Sequence, residues 1–511
     1  MAPASRGGER PLLTLPPASN MGAAMNSGNV APQEFAGRLA EFLAIVQQRI
    51  PDVNTAPWHL GFPAGGAILV GSDVGREIWA TPEGQGLVQY LLTDPGLREW
   101  FAPPPESRLV ELRLFVASVV DKWASSGVPA DEFAATRASE IRDAIRAPQV
   151  VCTGVGLVYG VILDQDGLPL PYGLSVSRVT SDTLGSVLAG LGAPFADLIR
   201  APNRPALLLL SRAAANREEM RGFAASWADG NCRISLERLR RAIWLASGAL
   251  PARGDTYLFQ ESPYPAIPFE RISPPPEQRF PEDLSAGGDA RLDGAFLSDA
   301  LVRMGAVWGT TEAHVGGEAV EAYWVADGVY VPQALEFPDS SSTVLMAYAA
   351  MDGLLRDQEE DDSRLAPRVG WLIGGSNGDR RAVRCFLDRL RSIRGEVAHG
   401  KRPHLDDVAG AIGRDVAAAA LAERGIFADR ELNRLLRRRC LDVLRRVLVS
   451  FLWLTVEGEP WSGGAHRPRA RPGLSRQQVL GTLDSARKGD SNAVALLEAR
   501  VPAVVRGGLL P

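Results

Sequence analysis

The strongest constraint on the fold is a set of apolar residues that recur every three to four positions across residues 344–451. Val383, Phe386, Leu390, Ile393 and Val397 share one face of a helix, because about 3.6 residues make a turn. Val344, Tyr348, Met351 and Leu355 mark a helix upstream, with Asp339 or a following serine as its N-cap. Leu365, Val369, Leu372 and Ile373 mark a second, with Pro367 in its first turn, where proline is tolerated. An alanine-rich helix is expected at residues 405–423, and Leu432, Leu436, Val443, Val447 and Phe451 define a long one after it. Short connections between such helices favour an antiparallel bundle.

The rest of the chain has a different texture. Residues 1–31, rich in Ala, Pro, Gly and Ser, are expected to be disordered, with Met21 or Met25 as an alternative start. Helices are expected at residues 32–49, 109–123 and 130–147. From residue 149 the pattern turns to short β-type runs. Those at 150–163 and 169–179 flank Asp164-Gln-Asp-Gly167, which reads as a hairpin connection. Residues 206–210 read as a buried strand and 236–247 as a helix. Prolines 263, 265, 268, 274, 275, 276 and 281 demand extended or looped chain. A length of 511 residues exceeds a single core. The expectation is an α+β multidomain chain with a mixed N-terminal region and an all-α C-terminal bundle. Its segments are a tail at 1–31, a mainly helical part at 32–148, and a β-rich part at 149–290. A helical domain at 291–458 and a linker with a small helical tail at 459–511 follow.

Charge and composition exclude several classes. Net charge is −5, so only local charge can argue for a nucleic-acid partner. Residues 363–402 carry ten Lys/Arg against three acids, and 430–446 carry seven Arg against two, as phosphate binding or a solvated basic face would require. Four scattered cysteines and five histidines offer no zinc spacing and no disulfide frame, so no metal or cofactor is expected. No apolar run is long enough for a membrane span and the N-terminus has no signal-peptide core, which points to the cytoplasm. The acidic run at 357–362 reads as a solvated turn. Gly154-Val-Gly-Leu-Val-Tyr-Gly160 lacks dinucleotide-loop spacing. Gly374-Gly-Ser-Asn-Gly378 matches a nucleophile-elbow string, but helical spacing before it favours a loop between helices. The types of Trp58 and His59 alone suggest a pocket.

Chemistry is concentrated where the third bundle helix ends, at Arg391-Ser-Ile-Arg-Gly-Glu-Val-Ala-His399-Gly-Lys-Arg402. In order, the chain presents Ala349-Ala-Met-Asp-Gly-Leu-Leu355, then Ser363-Arg-Leu-Ala-Pro-Arg-Val-Gly-Trp-Leu-Ile373, then Leu390-Arg-Ser-Ile-Arg-Gly-Glu-Val-Ala-His-Gly400. With these features residues 343–454 resemble the HEPN superfamily and, within it, the ApeA-like branch. By that resemblance Arg394 and His399 fill the family's arginine–histidine motif. Arg391 stands where the family has tyrosine, Gly395 where it has a small polar residue, and Asp352 where it has glutamate.

The resemblance implies metal-independent RNA cleavage, in which a 2′-hydroxyl attacks its own phosphodiester. It also implies an antiphage or toxin-like role, with the N-terminal region sensing a phage-derived or regulatory ligand. The residue types suit that chemistry. Histidine titrates near neutrality and serves as acid or base. Arginine stays charged and grips two phosphate oxygens. Arg391, Lys401, Arg402, Arg434 and Arg438 are the candidate RNA contacts; Glu396 and His404 are expected to face solvent. Five helical positions correspond to about 140° of rotation, so Arg394 and His399 diverge unless the helix unwinds near Gly395 or before Gly400. Otherwise two copies share the site, and a homodimer is expected. The alternatives are a HEPN module that binds RNA, nucleotide or a partner protein without cutting, and a serine hydrolase using Ser376.

Overall fold

The computed structural model describes residues 32–50, 69, 72–93, 108–146, 149–179, 206–216, 224–248, 251–260, 269–272, 290–309, 317–336, 340–424, 428–463 and 468–509. The expectations for residues 1–31, for Trp58 and His59, and for all the prolines between 263 and 281 fall outside these residues.

Five helices come first: α1 (Pro32–Arg49), α2 (Asp73–Trp79), α3 (Pro82–Thr93), α4 (Arg108–Ser126) and α5 (Ala130–Arg146). Phe35, Leu39, Phe42, Leu43 and Val46 of α1 are buried, which is the face their spacing implies. A six-stranded sheet follows. Its strands are β1 (Gln149–Tyr159), β3 (Gly167–Leu170), β4 (Leu174–Arg178), β5 (Ala206–Asn216), β6 (Ala252–Gln260) and β7 (Phe269–Ile272). They lie in the order β3-β4-β5-β1-β6-β7, each neighbour antiparallel. Between β1 and β3, β2 (Val161–Leu163) leaves the sheet to pair in parallel with β8 (Ala290–Leu292).

The hairpin falls one turn later than the sequence suggested. Asp164-Gln-Asp-Gly167 does not join two paired strands; the tight connection is Pro171–Gly173, between β3 and β4. Tyr172 and Gly173 have φ of 65° and 69°, the left-handed geometry that matches the twist of paired strands.

A long helix, α6 (Ala224–Ser247), packs along β1 and β5. It is twice the length its apolar spacing marked out. Ala228 and Cys232, in its first half, join the core built by α1–α5. Leu236, Leu239, Ala242 and Ile243, in its second half, join a core that continues to Val505.

That second core contains α7 (Gly294–Val307), α8 (Glu318–Val325), a π turn (Ala326–Tyr330) and α9 (Val331–Glu336). The bundle itself is α10 (Ser340–Leu355), α11 (Leu365–Ile373), α12 (Asn377–Ala398), α13 (Leu405–Ile412), α14 (Arg414–Arg424) and α15 (Ala428–Thr455). The single helix expected at 405–423 is thus two, divided at Gly413. A ribbon of β9 (Val456–Gly458) and β10 (Ala470–Pro472) leads to α16 (Arg476–Arg487) and α17 (Ser491–Arg500). Val479, Leu480, Leu483 and Leu497 of these last helices lie in the same core as the bundle. Among the described residues the fold is therefore α+β, with the sheet in the N-terminal half, helices in the C-terminal half, and packing continuous from one to the other.

Charge ties these helices together. The acidic run between α10 and α11 is a turn that is only partly solvated: Glu359 and Asp361 are exposed, while Asp357, Glu360 and Asp362 pair with arginines. Arg368 of α11 is 2% exposed. Its guanidinium donates to Glu360 at 2.7 Å, to Asp484 of α16 at 2.8 Å and to the Leu355 carbonyl at 2.9 Å. Arg476, at the start of α16, donates to Asp357 at 2.8 Å and to Glu318 at 2.6 Å. The arginines of α15 are similarly employed. Arg446 donates to the carbonyls of Ile373, Val505, Gly507 and Gly508 at 2.6–2.9 Å, Arg445 to that of Leu245, and Arg439 to that of Ala411. Arg439, Arg445 and Arg446 of this basic run are thus internal clamps for carbonyls that would otherwise be buried bare.

Arg368→Ala leaves two carboxylates without their cation and is expected to cost about 3–5 kcal/mol in urea unfolding. The hydrogen bonds from Arg368 hold Glu360 below its usual 4.5. Its contribution to stability is therefore present at neutral pH and disappears as pH falls below 4.5. Glu360→Gln should lower the Tm at pH 7 and flatten its decline in acid, as a series of melts across pH 3–7 would measure.

Candidate active site

Helix α12 starts in a capping box. The Ser376 hydroxyl accepts from the Asp379 N–H at 3.1 Å, and the Asp379 carboxylate accepts from the Ser376 N–H at 2.9 Å. Residues before this loop form α11, not a strand, so Ser376 is placed as a helix cap and not on a strand-to-helix elbow.

Val383, Phe386, Leu387, Leu390 and Ile393 bury one face of α12, and the helix runs through Gly395 without a break. It ends at Ala398. Gly400 has φ of 70°, its N–H reaches the Val397 carbonyl at 2.9 Å, and the Lys401 N–H reaches that of Glu396 at 2.9 Å. This is a Schellman cap, which favours glycine at the left-handed position. The His-Gly pair therefore terminates the helix whatever else it does.

The cap separates the two motif residues. Helical geometry holds as far as Ala398, so the divergence of about 140° stands and the helix does not unwind near Gly395. Arg394 turns toward the bundle. Its guanidinium lies 4.7 Å from the centre of the Tyr348 ring and 3.5 Å from the Asp362 carboxylate. Asp362 in turn lies 3.4 Å from Arg356, and Arg356 grips both oxygens of Asp352. Burial pushes the Tyr348 phenol up to about 12, with the nearby Asp362 charge adding to the effect, so it stays protonated at any physiological pH. His399 is exposed at the cap, and its ring has no hydrogen-bond partner among the described residues.

The five candidate RNA contacts fall into two groups. Arg391, Lys401 and Arg402 are exposed around the end of α12, with no ion pair among the described residues. Arg434 is instead paired with Glu431 on α15, both mostly buried, and Arg438 is half-buried on the same helix. Glu396 does not face solvent freely. Its carboxylate accepts from the His404 backbone N–H at 3.0 Å and lies 3.7 Å from the His404 ring, fastening the start of α13. His404 itself is exposed.

Tyr348, Asp352, Arg356 and Asp362 make the polar neighbourhood of Arg394, and sequence reasoning gave none of them that role. The one available signal was complementarity. Five carboxylates in six residues at 357–362 adjoin a stretch with ten Lys/Arg against three acids. Among the described residues no three His, Cys, Asp or Glu side chains are grouped to hold a metal ion. No described helix is long and apolar enough to cross a membrane. Comparison with protein-family models, curated proteins and solved structures gave no match for this chain.

The cap and the ring make separable predictions. Gly400→Ala forces a side chain into the left-handed region and should cost about 1–2 kcal/mol in chemical denaturation. His399→Ala, which removes an exposed and unpartnered ring, should change stability by no more than about 0.5 kcal/mol.

Proposed function

We propose that the chain is a metal-independent RNA endonuclease of the ApeA-like HEPN type, acting as a homodimer in the cytoplasm. The observation that supports this most is the end of α12. There His399 is exposed, the cations Arg391, Lys401 and Arg402 near it in sequence are exposed with no ion pair among the described residues, and Arg394 is on the same helix. A phosphodiester backbone entering this surface meets positive charge and an imidazole able to exchange a proton.

In the reaction, the 2′-hydroxyl attacks the adjacent phosphorus while its proton passes to a base. The bond to the 5′ oxygen breaks, and that oxygen takes up a proton. The products are a cyclic phosphate and a 5′-hydroxyl end. His399 serves as the proton-transfer group, and Arg394 balances the charge that develops on the phosphorane oxygens. Because the two leave one helix in different directions, His399 of one protomer works with Arg394 of the other. The N-terminal helices and sheet then form the sensing part of an antiphage or toxin-like effector. α6 joins them to the bundle, since its two halves belong to the two cores.

One observation favours a second reading, an RNA-binding module of the same fold that does not cut. Arg394 is already engaged by Tyr348 and Asp362, so phosphate must displace a carboxylate to reach it.

Labelled RNA incubated with the purified protein in EDTA distinguishes the readings. Cleavage should be abolished by His399→Ala and by Arg394→Ala and survive Ser376→Ala, whose expected loss is a helix cap of about 1 kcal/mol. Sedimentation should show a dimer. RNA bound without cleavage by any version, the unmodified protein included, selects the second reading. Cleavage lost only with Ser376→Ala contradicts both. Charge removal at Arg391, Lys401 or Arg402 should each reduce the salt dependence of single-strand binding by a slope of about 0.7.

A further inference from the structure

A second polar cluster lies away from α12, where α6 meets α7 and the turn after α8. Asp327 is in the π turn Ala326–Tyr330 and is 3% exposed. Such turns are rare and often mark functional positions. Its carboxylate forms a 3.0 Å ion pair with Arg241 of α6 and accepts from the Trp308 side chain. Arg241 also donates to the Asp327 backbone carbonyl at 2.6 Å. Burial pushes the Asp327 carboxyl upward, against the pull of Arg241.

Arg238 is one turn back on α6, on the same side as Arg241. Its guanidinium stacks 4.3 Å from the centre of the Trp308 ring. It makes no hydrogen bond and no ion pair among the described residues. Burial, together with the Arg241 charge, lowers its pKa to about 10. An arginine that is desolvated, stacked and unpaired is an uncommon arrangement, because a partly buried charge without a partner is costly. Among the described residues the cluster holds two guanidinium groups against one carboxylate and so carries an excess of positive charge. A second orphan is close by in the same electrostatic field. The Tyr323 hydroxyl is fully buried and has no hydrogen-bond partner among the described residues. Arg238 and Trp308 are each partly exposed, which leaves the guanidinium a route to solvent.

We propose that Arg238, on its Trp308 platform and beside Arg241, binds the phosphate group of a small anionic ligand at the junction of α6 with α7. The guanidinium fork of Arg238 matches two phosphate oxygens, and phosphate supplies the negative charge that the cluster lacks. Asp327 holds Arg241 in place and partly offsets its repulsion of Arg238. The ligand would tie α6, which packs on the sheet, to the helices of the second core. This site is independent of the RNA-cleavage reading and of α12.

The test uses the full chain with inorganic phosphate, titrated at constant ionic strength in calorimetry and in thermal melts, with acetate as the carboxylate control. The unmodified protein should bind phosphate saturably and melt at higher temperature with it, and acetate should do neither. Arg238→Gln removes no ion pair, so it should melt normally without phosphate and bind phosphate at least about tenfold more weakly. Arg487→Gln, exposed at the end of α16, should bind as the unmodified protein does. If Arg238→Gln melts early, Arg238→Lys, which keeps the charge and loses the fork, should still weaken binding several-fold. No saturable binding, binding unchanged by both Arg238 variants, binding lost equally in Arg487→Gln, or an equal response to acetate each overturns the proposal.

Discussion

The buried guanidinium of Arg368 is the constraint on which the C-terminal half depends. A charge that is 2% exposed must be matched on every side, and Glu360 and the Leu355 carbonyl from one segment and Asp484 from another do this. Matching it fixes the acidic turn between α10 and α11. The same turn then holds Arg476 through Asp357, and Arg356 and Arg394 through Asp362. One short acidic segment thereby sets the position of α16, the register of α11 on α10, and the direction of the side chain that carries the candidate chemistry.

Two consequences follow for the site. Arg394 is orientated by contacts inside its own bundle, whereas His399 depends only on a glycine cap for its position. An unbroken α12 sends them in different directions, and the proposed reaction accordingly draws on two surfaces. That unbroken helix and an inward-turned arginine are the geometry on which the proposed two-protomer site rests. Asp362 then has a part in tuning it, because it competes with any phosphate that approaches Arg394.

The bundle was legible in the sequence because its apolar residues repeat with the helical period, as Val383, Phe386, Leu390 and Ile393 show. The end of α12 was legible because His399-Gly400 supplies both a titratable ring and a left-handed cap. The partners of the arginines were not. Arg368 meets Asp484 across 116 positions and Arg476 meets Asp357 across 119, and no local pattern records such pairings. Local signals also misled where two of them competed. Asp164-Gln-Asp-Gly167 looks like a turn, but Tyr172 and Gly173 supply the positive φ angles that the paired strands require. The seven arginines at 430–446 resembled a basic surface, and burial turned several of them into internal clamps.

The central claim is that Arg394 and His399 act across a dimer, and subunit mixing tests it most directly. Arg394→Ala and His399→Ala proteins, each inactive alone, are combined in equal amounts and allowed to exchange, and RNA cleavage is measured in EDTA. A composite site predicts that half of the dimers are mixed and that each mixed dimer holds one intact site. Activity should then return to about a quarter of that of the unmodified protein. Cleavage that stays at the background of the separate variants after exchange would contradict the account.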